Sequence, residues 1–273
     1  MSKPNILVDR KALEMHRNRA IGRDEYFLHE LAIAEIKGRL CSINRDFQSI
    51  AIVSGLSTPW GQAFPKATII QDKENLNLAN CKYDLIIHGM ALHWANDPVG
   101  QLIQARLALK NDGLMIAVCL GGTTLYELRN VFIEAETKLI GGIHPRFMPL
   151  AEIRDLGSLM QRAGFALPVA DSTITECLYN GFYKILHDLR AMAETNVLVN
   201  RTKYFSRRGL FKYASELYEK KFSRPDKKVS ATYEHIYLTG WAPDQSQQKP
   251  LRPGSAQARL ADALRSKESS LPD

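Results

Sequence analysis

The sequence lacks any apolar run that approaches the roughly 18 residues needed to cross a bilayer. Its first residues, MSKPNILVDRKALEMHRNR, also lack the apolar stretch of a secretory signal. These absences argue against a transmembrane or exported protein and predict a cytoplasmic location. Low complexity is missing as well, because 45% hydrophobic and 24% charged residues are ordinary values for a folded globular chain.

Cysteine is scarce, and no chemical signature accompanies it. The four cysteines are far apart in the sequence: Cys41, Cys81, Cys119 and Cys177. Neither a CxxC pair nor two histidines in metal-ligand spacing occurs, so the pattern predicts buried, reduced thiols and no metal site. No spacing typical of a Ser-His-Asp or Cys-His arrangement is present, so nothing favours nucleophilic catalysis.

Positive charge is concentrated in one segment. The formal net charge is +7, and residues 201–228 hold ten Lys and Arg against three acidic residues, which accounts for the whole excess. Apolar residues recur there at helical spacing, so we expect an amphipathic helix with a basic outer face. Such a face is either simply solvated or attracts phosphates, an acidic partner or anionic lipid. No specific nucleic-acid signal accompanies it.

Strand-like and helix-like segments alternate along the chain. The predicted helices are 9–40, 98–110, 124–140, 151–163, 180–194 and 209–222, and the predicted strands are 49–55, 67–72, 83–90, 114–120, 168–178 and 231–241. This order predicts a mostly parallel sheet with helices on both faces. The two late strands follow long helical insertions and predict an antiparallel addition at one edge.

The first crossover is short. Only Leu56 to Lys66 separates the first strand from the second, whereas a parallel crossover takes a dozen or more residues. One crossover fits this length and two do not. We therefore expect strand 50–54 to lie between strand 67–71 on one side and strand 84–90 on the other.

A first group of candidate site residues follows the carboxyl ends of these strands, where ligands bind in such sheets. Gly55 would let a nucleotide-type cofactor approach the backbone, Asp72 would accept hydrogen bonds from ribose or adenine, and Trp94, beside His93, would stack on a flat ring. The alternatives are an ordinary turn, a capping aspartate and a core tryptophan.

A second group lies in the segments after the fourth strand, where two glycine pairs would free a loop to close over a substrate or partner. Its members are Tyr126, Glu127, Arg129, His144, Arg146 and Asp155. For Glu127 an alternative is open, because Thr124-x-x-Glu127 has the spacing of a helix capping box.

Four motifs together resemble one family. They are Leu92-His-Trp-Ala-Asn-Asp-Pro98, Leu109-Lys-Asn-Asp-Gly113, Gly121-Gly-Thr-Thr-Leu-Tyr-Glu-Leu-Arg129 and Arg154-Asp-Leu-Gly157 with Gly164-Phe165. In this combination the chain resembles, over roughly residues 5–265, the methyltransferase-like proteins related to mitochondrial complex I assembly factor 5. Similarity to bacterial members of the family suggests an alphaproteobacterial type of sequence. The first motif also occurs in malonyl-carrier-protein methyltransferases.

The resemblance implies a class I (Rossmann-like) methyltransferase fold, S-adenosylmethionine as the cofactor and a protein partner, a respiratory-complex subunit being one candidate. The mitochondrial relative is named as an arginine hydroxylase. The chain departs from the family pattern, because Val53 stands at the acidic position, and Ser57 and Pro59 replace glycines. The short crossover implies that the second strand and its helix are missing, together with the ribose-binding acid. Asp72 matches the aspartate that faces adenine. Because the ribose-binding acid is missing, we expect cofactor binding to be weak or lost.

These observations predict an N-terminal helical extension (1–45), a methyltransferase-like domain (46–243) with a helical insertion at about 179–228, and a polar tail (244–273). Two functions are open. The first is an enzyme acting on a protein or small acyl substrate through a degenerate site, and the second is a non-catalytic assembly or interaction protein. The sequence identifies neither the substrate nor the oligomeric state.

Overall fold

Helices and strands alternate through most of the chain in the computed structural model, which describes residues 6–23 and 25–248. The strands are β1 (Ile50–Val53), β2 (Thr68–Ile70), β3 (Tyr83–Gly89), β4 (Leu109–Leu120), β5 (Ala166–Tyr179) and β6 (Val229–Trp241). The helices are α1 (Arg10–Ala20), α2 (Phe27–Cys41), α3 (Ser57–Ala63), α4 (Pro98–Ala108), α5 (Tyr126–Ile140), α6 (Ile153–Arg162), α7 (Phe182–Ala191) and α8 (Arg208–Phe222). A 3-10 turn, Leu92–Trp94, follows β3.

The six strands form one sheet in the order β2-β1-β3-β4-β6-β5. β1 pairs in parallel with β2 on one side and with β3 on the other, and the register sets Ala51 against Thr68 and Ile86. This confirms the order predicted from the crossover length. β6 lies antiparallel to β4, and β5 lies antiparallel to β6, so the late antiparallel addition is confirmed as well.

Both faces of the sheet are covered. Because neighbouring strand residues point to opposite faces, Leu85 and Ile87 of β3 lie in one core, which α2, α5, α7 and α8 complete. Ile86, between them, lies in the other core, against α4 and α6. The carboxyl ends of β1, β3 and β4 therefore open at one edge, framed by helices of both layers.

The predicted helix 9–40 is wrong in one respect, because two helices occupy that region. The chain turns at Ile21, which is extended, and at Gly22, whose φ is +82°, a left-handed conformation that suits glycine. The break lets α1 leave the axis of α2. As described below, α1 then reaches the carboxyl edge of the sheet.

The connection from β1 to β2 is a single short crossover built on α3. Ser57 and Pro59, which stand where the family pattern has glycines, form the first turn of this seven-residue helix. Trp60 on α3 is fully buried, and its indole Nε1 donates to His29 Nδ1 at 3.0 Å. Within the described residues no further strand lies between β1 and β2, as predicted.

Helix termini agree with the sequence prediction at α4 and differ from it at α5. Asp97 caps α4 by accepting from the amide of Gly100 at 2.8 Å, with Pro98 in the first turn. The capping box predicted for α5 is wrong: residue 125 precedes the helix in a left-handed conformation, and no side chain caps its first turn. Glu127 has a different partner, described below.

The four cysteines are free, as predicted, but only Cys119 is fully buried. Burial raises its pKa to about 12, so the thiol is unreactive. Cys41 and Cys81 are exposed, which corrects the expectation of buried thiols, because Cys41 is the last residue of α2 and Cys81 lies in the turn before β3.

α8 buries one stripe, as its periodicity predicts. Leu210, Ala214 and Tyr218 are fully buried against the first core. Glu216 and Lys220 have the i, i+4 spacing of a local ion pair but form none among the described residues, and Lys221 pairs with Glu134 of α5.

Two units are distinguished in the chain, Met1–Pro243 and Asp244–Asp273. Of the second, the described residues form a turn in which Asp244 Oδ1 accepts from the amide of Ser246 at 2.9 Å. The rest of the predicted tail, 249–273, lies outside the described residues. In the part of the chain that the structure describes, no helix has both the length and the apolar character of a bilayer span.

Candidate functional site

The sheet brings the first group of candidate residues to one edge. Gly55 follows β1, Asp72 follows β2, and His93 and Trp94 follow β3. Asp72 is only 2% exposed. This is the place where the sequence predicts a cofactor.

Helix α1 inserts two arginines into this edge. Arg17 faces both carboxylate oxygens of Asp72, with Nη1–Oδ1 at 2.5 Å and Nη2–Oδ2 at 2.9 Å. Arg10 hydrogen-bonds to the backbone carbonyl of Asp72, and its Nη1 donates to the carbonyl of Trp94 at 3.0 Å. The acceptors that a ribose or adenine would need are therefore bound to the chain's own guanidinium groups.

The space above Gly55 is filled as well. A β-carbon at this position would overlap the guanidinium of Arg17, so the close approach that glycine permits is used by a side chain of α1. The cavity left beside Arg17, Gly55 and Trp94 has a volume of about 10 Å³. That is room for one water molecule at most.

His93 and Trp94 do not present a free stacking surface. Both are buried and hold Glu194, which follows α7: His93 Nε2 lies 3.2 Å from one carboxylate oxygen, and Trp94 Nε1 donates to the other at 3.3 Å. Burial alone would raise the pKa of Glu194, but the contacts with His93 and Trp94 outweigh it and lower that pKa. Glu194 therefore stays ionised beneath the edge.

A larger cavity, of about 370 Å³, opens beyond this pair. Side chains of α5, α7 and α8 form its apolar walls, and the loop 146–150 and the segment 194–198 close it. Its polar lining includes His93, Thr124, Arg129, Arg146, Arg190 and Glu194. Four of the predicted site residues thus meet here: His93, Trp94, Arg129 and Arg146.

Arg146 belongs to a network that fixes the loop. Its Nε donates to Glu136 Oε1 at 2.7 Å, and the same carboxylate accepts from the amide of His144 at 2.8 Å. Burial would raise the pKa of Glu136, which is 1% exposed, but these donors together lower it. Tyr204 lies edge-on to the His144 ring. The network joins the loop to α5 at the wall of the cavity.

The remaining candidates lie elsewhere. Glu127 is buried and accepts from both the amide and the hydroxyl of Thr232 on β6. Tyr126 is 43% exposed and lies edge-on to Phe222. Asp155 is exposed in the first turn of α6. None of these three lines the cavity.

Sequence reasoning missed Arg10, Arg17 and Glu194. The arginines lie on a helix whose charges are typical of a solvated surface, and Glu194 has no motif around it.

One group within the described residues offers three ligand atoms of the kind that hold metal ions: Glu25, His187 and Asp188. Lys184 already pairs with two of its carboxylates, with Nζ 3.2 Å from Glu25 and 2.9 Å from Asp188. We assign no metal to this group.

Comparisons with known proteins agree with the fold and the resemblance. The chain is 35% identical over 198 residues to the arginine-hydroxylase NDUFAF5, mitochondrial, of Danio rerio, covering 72% of this chain and 61% of that protein. It is 34% identical to the Homo sapiens protein of the same name, covering 79% and 62%. The malonyl-[acyl-carrier protein] O-methyltransferase of Laribacter hongkongensis (strain HLHK9) is 30% identical, covering 69% and 61%. The chain thus spans about three fifths of the length of these curated relatives.

Among solved structures, a Bacillus halodurans C-125 protein assigned as a methyltransferase aligns with a TM-score of 0.51 at 11% identity, covering 78% of this chain and 99% of that one. No family model matches the chain. The predicted class I methyltransferase fold is confirmed, and so is the resemblance to the NDUFAF5 proteins. S-adenosylmethionine is the cofactor that belongs to this fold.

The residues present do not fit that cofactor. A nucleoside would need the space above Gly55 and the carboxylate of Asp72, and Arg17 takes both. The strand and helix that would carry a ribose-binding acid are replaced by the short crossover through α3. We therefore derive no step through S-adenosylmethionine.

Proposed function

We propose that this chain, a protein with the class I methyltransferase fold and with similarity to the NDUFAF5 proteins, is a non-catalytic assembly or interaction protein of the complex I assembly factor 5 type. In this proposal the scaffold is kept and the cofactor site is closed by α1. The proposal rests on the Arg17–Asp72 ion pair. Without the second strand and its helix, Gly55 and Asp72 are what remains of the cofactor site, and Arg17 occupies both.

The energy of that ion pair supports the proposal. Admitting a nucleoside requires Arg17 to leave Asp72, whose side chain is 3% exposed. Breaking a buried pair costs about 3 to 5 kcal/mol. A cofactor would therefore bind roughly 10²- to 10⁴-fold more weakly than at an open site.

The proposed partner is an acidic protein, with a respiratory-complex subunit as the candidate that the resemblance suggests. The segment 201–228 supports this, because it carries the chain's excess of positive charge and fully exposes an aromatic side chain at Phe205. Aromatic and basic groups together are typical of docking surfaces. A cytoplasmic location is part of this proposal, whereas the animal relatives are named mitochondrial.

A second candidate function is an enzyme acting on a protein or small acyl substrate. The cavity of about 370 Å³ beside Glu194 favours it, because the volume lies in the range of small-molecule sites. The names of the relatives, an arginine hydroxylase and a carrier-protein methyltransferase, suggest two such activities.

Calorimetric titration tests the proposal. S-adenosylmethionine and S-adenosylhomocysteine would be titrated into the wild-type protein, into Arg17→Ala and into Arg19→Ala, a matched change of an exposed arginine on the same helix. We expect no binding below millimolar concentration for the wild type and the control, and a measurable gain for Arg17→Ala. Submicromolar binding by the wild type would contradict the proposal and favour the enzyme.

A further inference from the structure

The cavity beyond His93 has the size and walls of a ligand site. Its volume of about 370 Å³ corresponds to roughly a dozen water-sized or methylene-sized groups. Leu128, Phe132, Leu186, Leu189 and Phe211, from three helices, form much of its lining. An empty space with such walls forfeits dispersion contacts, so an apolar body that fills it is stabilised.

One charge on this wall has no carboxylate partner among the described residues. Arg129 donates through Nη2 to the backbone carbonyls of Gly122, at 2.8 Å, and of Thr124, at 3.3 Å. Its Nε–H is buried and has no acceptor. Backbone carbonyls accept from this half-buried guanidinium without neutralising its charge, so an anion that reaches Arg129 from the cavity would be stabilised.

The acidic residues nearby are already bound to other groups. Glu127 accepts from Thr232, and Glu136 accepts from His144 and Arg146. Glu194 is held by His93 and Trp94, as described above. None of these carboxylates pairs with Arg129.

The net charge of the lining points the same way. Arg129 and Arg190 line the cavity without a carboxylate partner among the described residues, whereas Arg146 is paired with Glu136 and Glu194 with His93. Arg190 is exposed and has no ion-pair partner within the described part of the chain. A cationic ligand, an arginine side chain included, would meet this excess of positive charge, whereas an anionic one would be attracted.

We propose that the cavity binds a monocarboxylate whose apolar chain or ring has roughly a dozen heavy atoms, with the carboxylate on Arg129 and the apolar body among α5, α7 and α8. The inference goes beyond the proposed function and does not depend on it, since Arg17, which closes the space above Gly55, does not line this cavity, although Trp94 and Glu194 border both spaces.

Three probes of equal chain length test it by calorimetry below their micellar concentrations: decanoate, decanol and decyltrimethylammonium. We expect decanoate to bind the wild type most tightly. In Arg129→Gln its affinity should fall roughly tenfold to hundredfold, the loss typical of one hydrogen bond to a charged group. Decanol should bind both proteins equally, and Arg162→Gln, which changes an exposed arginine of α6 away from the cavity, should behave as wild type.

A second variant, which fills the cavity, tests the proposal even if Arg129→Gln does not fold. Leu186→Trp places an indole in the cavity and should abolish decanoate binding without touching Arg129. Equal decanoate affinity in the wild type and Arg129→Gln, tightest binding of the cation, or unchanged binding in Leu186→Trp would each overturn the proposal. S-adenosylmethionine titrated into the same samples reports on the proposed function separately.

Discussion

Arg17 and Asp72, 55 residues apart in the sequence, form a two-point ion pair in which each carboxylate oxygen faces a different guanidinium nitrogen. Their side chains are 14% and 3% exposed. The N-terminal helix is therefore part of the candidate cofactor site rather than an appendage to the sheet. In a protein whose cofactor site is open, no such arginine would occupy the carboxyl edge of the sheet.

Removing Arg17 should destabilise the fold. In Arg17→Met the buried carboxylate of Asp72 keeps only the weaker contacts of Arg10, so we expect the free energy of unfolding to fall by about 3 kcal/mol. Urea unfolding monitored by circular dichroism measures this. Arg19→Met, on the same helix but exposed, should change the value by less than about 0.5 kcal/mol. A loss no larger in Arg17→Met than in Arg19→Met would mean that the pair is not a stabilising contact.

The buried histidines make stability depend on pH. Burial lowers the pKa of His29 to about 4 and that of His235 to about 4. Between about pH 6.5, the usual value for histidine, and pH 4, the unfolded chain binds protons that the folded chain does not. Stability should therefore be full above pH 6.5 and fall as the pH drops through this window, by up to about 2.7 kcal/mol per pH unit for two such groups.

Urea unfolding at pH 7.5, 6.5, 5.5 and 4.5 measures that slope. The variant His29→Gln should make the slope shallower without abolishing it, because one such histidine is gone while His235 and His88, whose pKa burial also lowers, remain. His187→Gln is the control, since this histidine is exposed. A slope that His29→Gln leaves intact would refute the role assigned to burial.

Glu127 should stabilise the fold through its contact with β6 and not by capping α5. Its carboxylate joins α5 to β6 by accepting from Thr232. In Glu127→Ala the amide and hydroxyl of the half-buried Thr232 lose this acceptor, so we expect a loss of about 1 to 3 kcal/mol. Thermal and urea unfolding check the value, and exposed Glu216→Ala serves as the control. If Thr232→Val in the Glu127→Ala background restores no stability, the contact is not the cause.

The basic segment 201–228 should bind its partner electrostatically. Reversal of Arg207, Arg208, Lys220 and Lys221 to glutamate is expected to abolish capture of an acidic partner while leaving the melting temperature nearly unchanged, because the apolar stripe of α8 is kept. Binding by the wild type should also weaken as salt rises, since exposed charges are screened beyond roughly 10 Å at 0.1 M. Pull-down with a defined acidic polypeptide across a salt series measures both effects. Undiminished capture by the reversed protein, or its unfolding, would show that the segment is structural.

The order of the sheet was predictable from the sequence. The apolar runs of β1, β3 and β4 mark buried strands, and the 11 residues from Leu56 to Lys66 allow only one crossover. The cap at Asp97 and the inward stripe of α8 follow from spacing within a few residues. These features are local, because the hydrophobic periodicity of strands and helices and the distance that a connection can span depend only on residues close together in the sequence.

The side-chain partners at the site were decided by tertiary structure. Arg17 on α1 has the composition of a solvated helix face, and only the turn at Gly22 directs it to Asp72. Glu194 meets His93 across 101 residues, and Glu127 meets Thr232 across 105. No local period encodes such pairs, because a charged side chain binds whichever group the packing of distant elements places within hydrogen-bond reach. The sequence by itself determined which strands form the site's edge, and the packing of α1 and α7 against that edge decided that the chain's own arginines fill it.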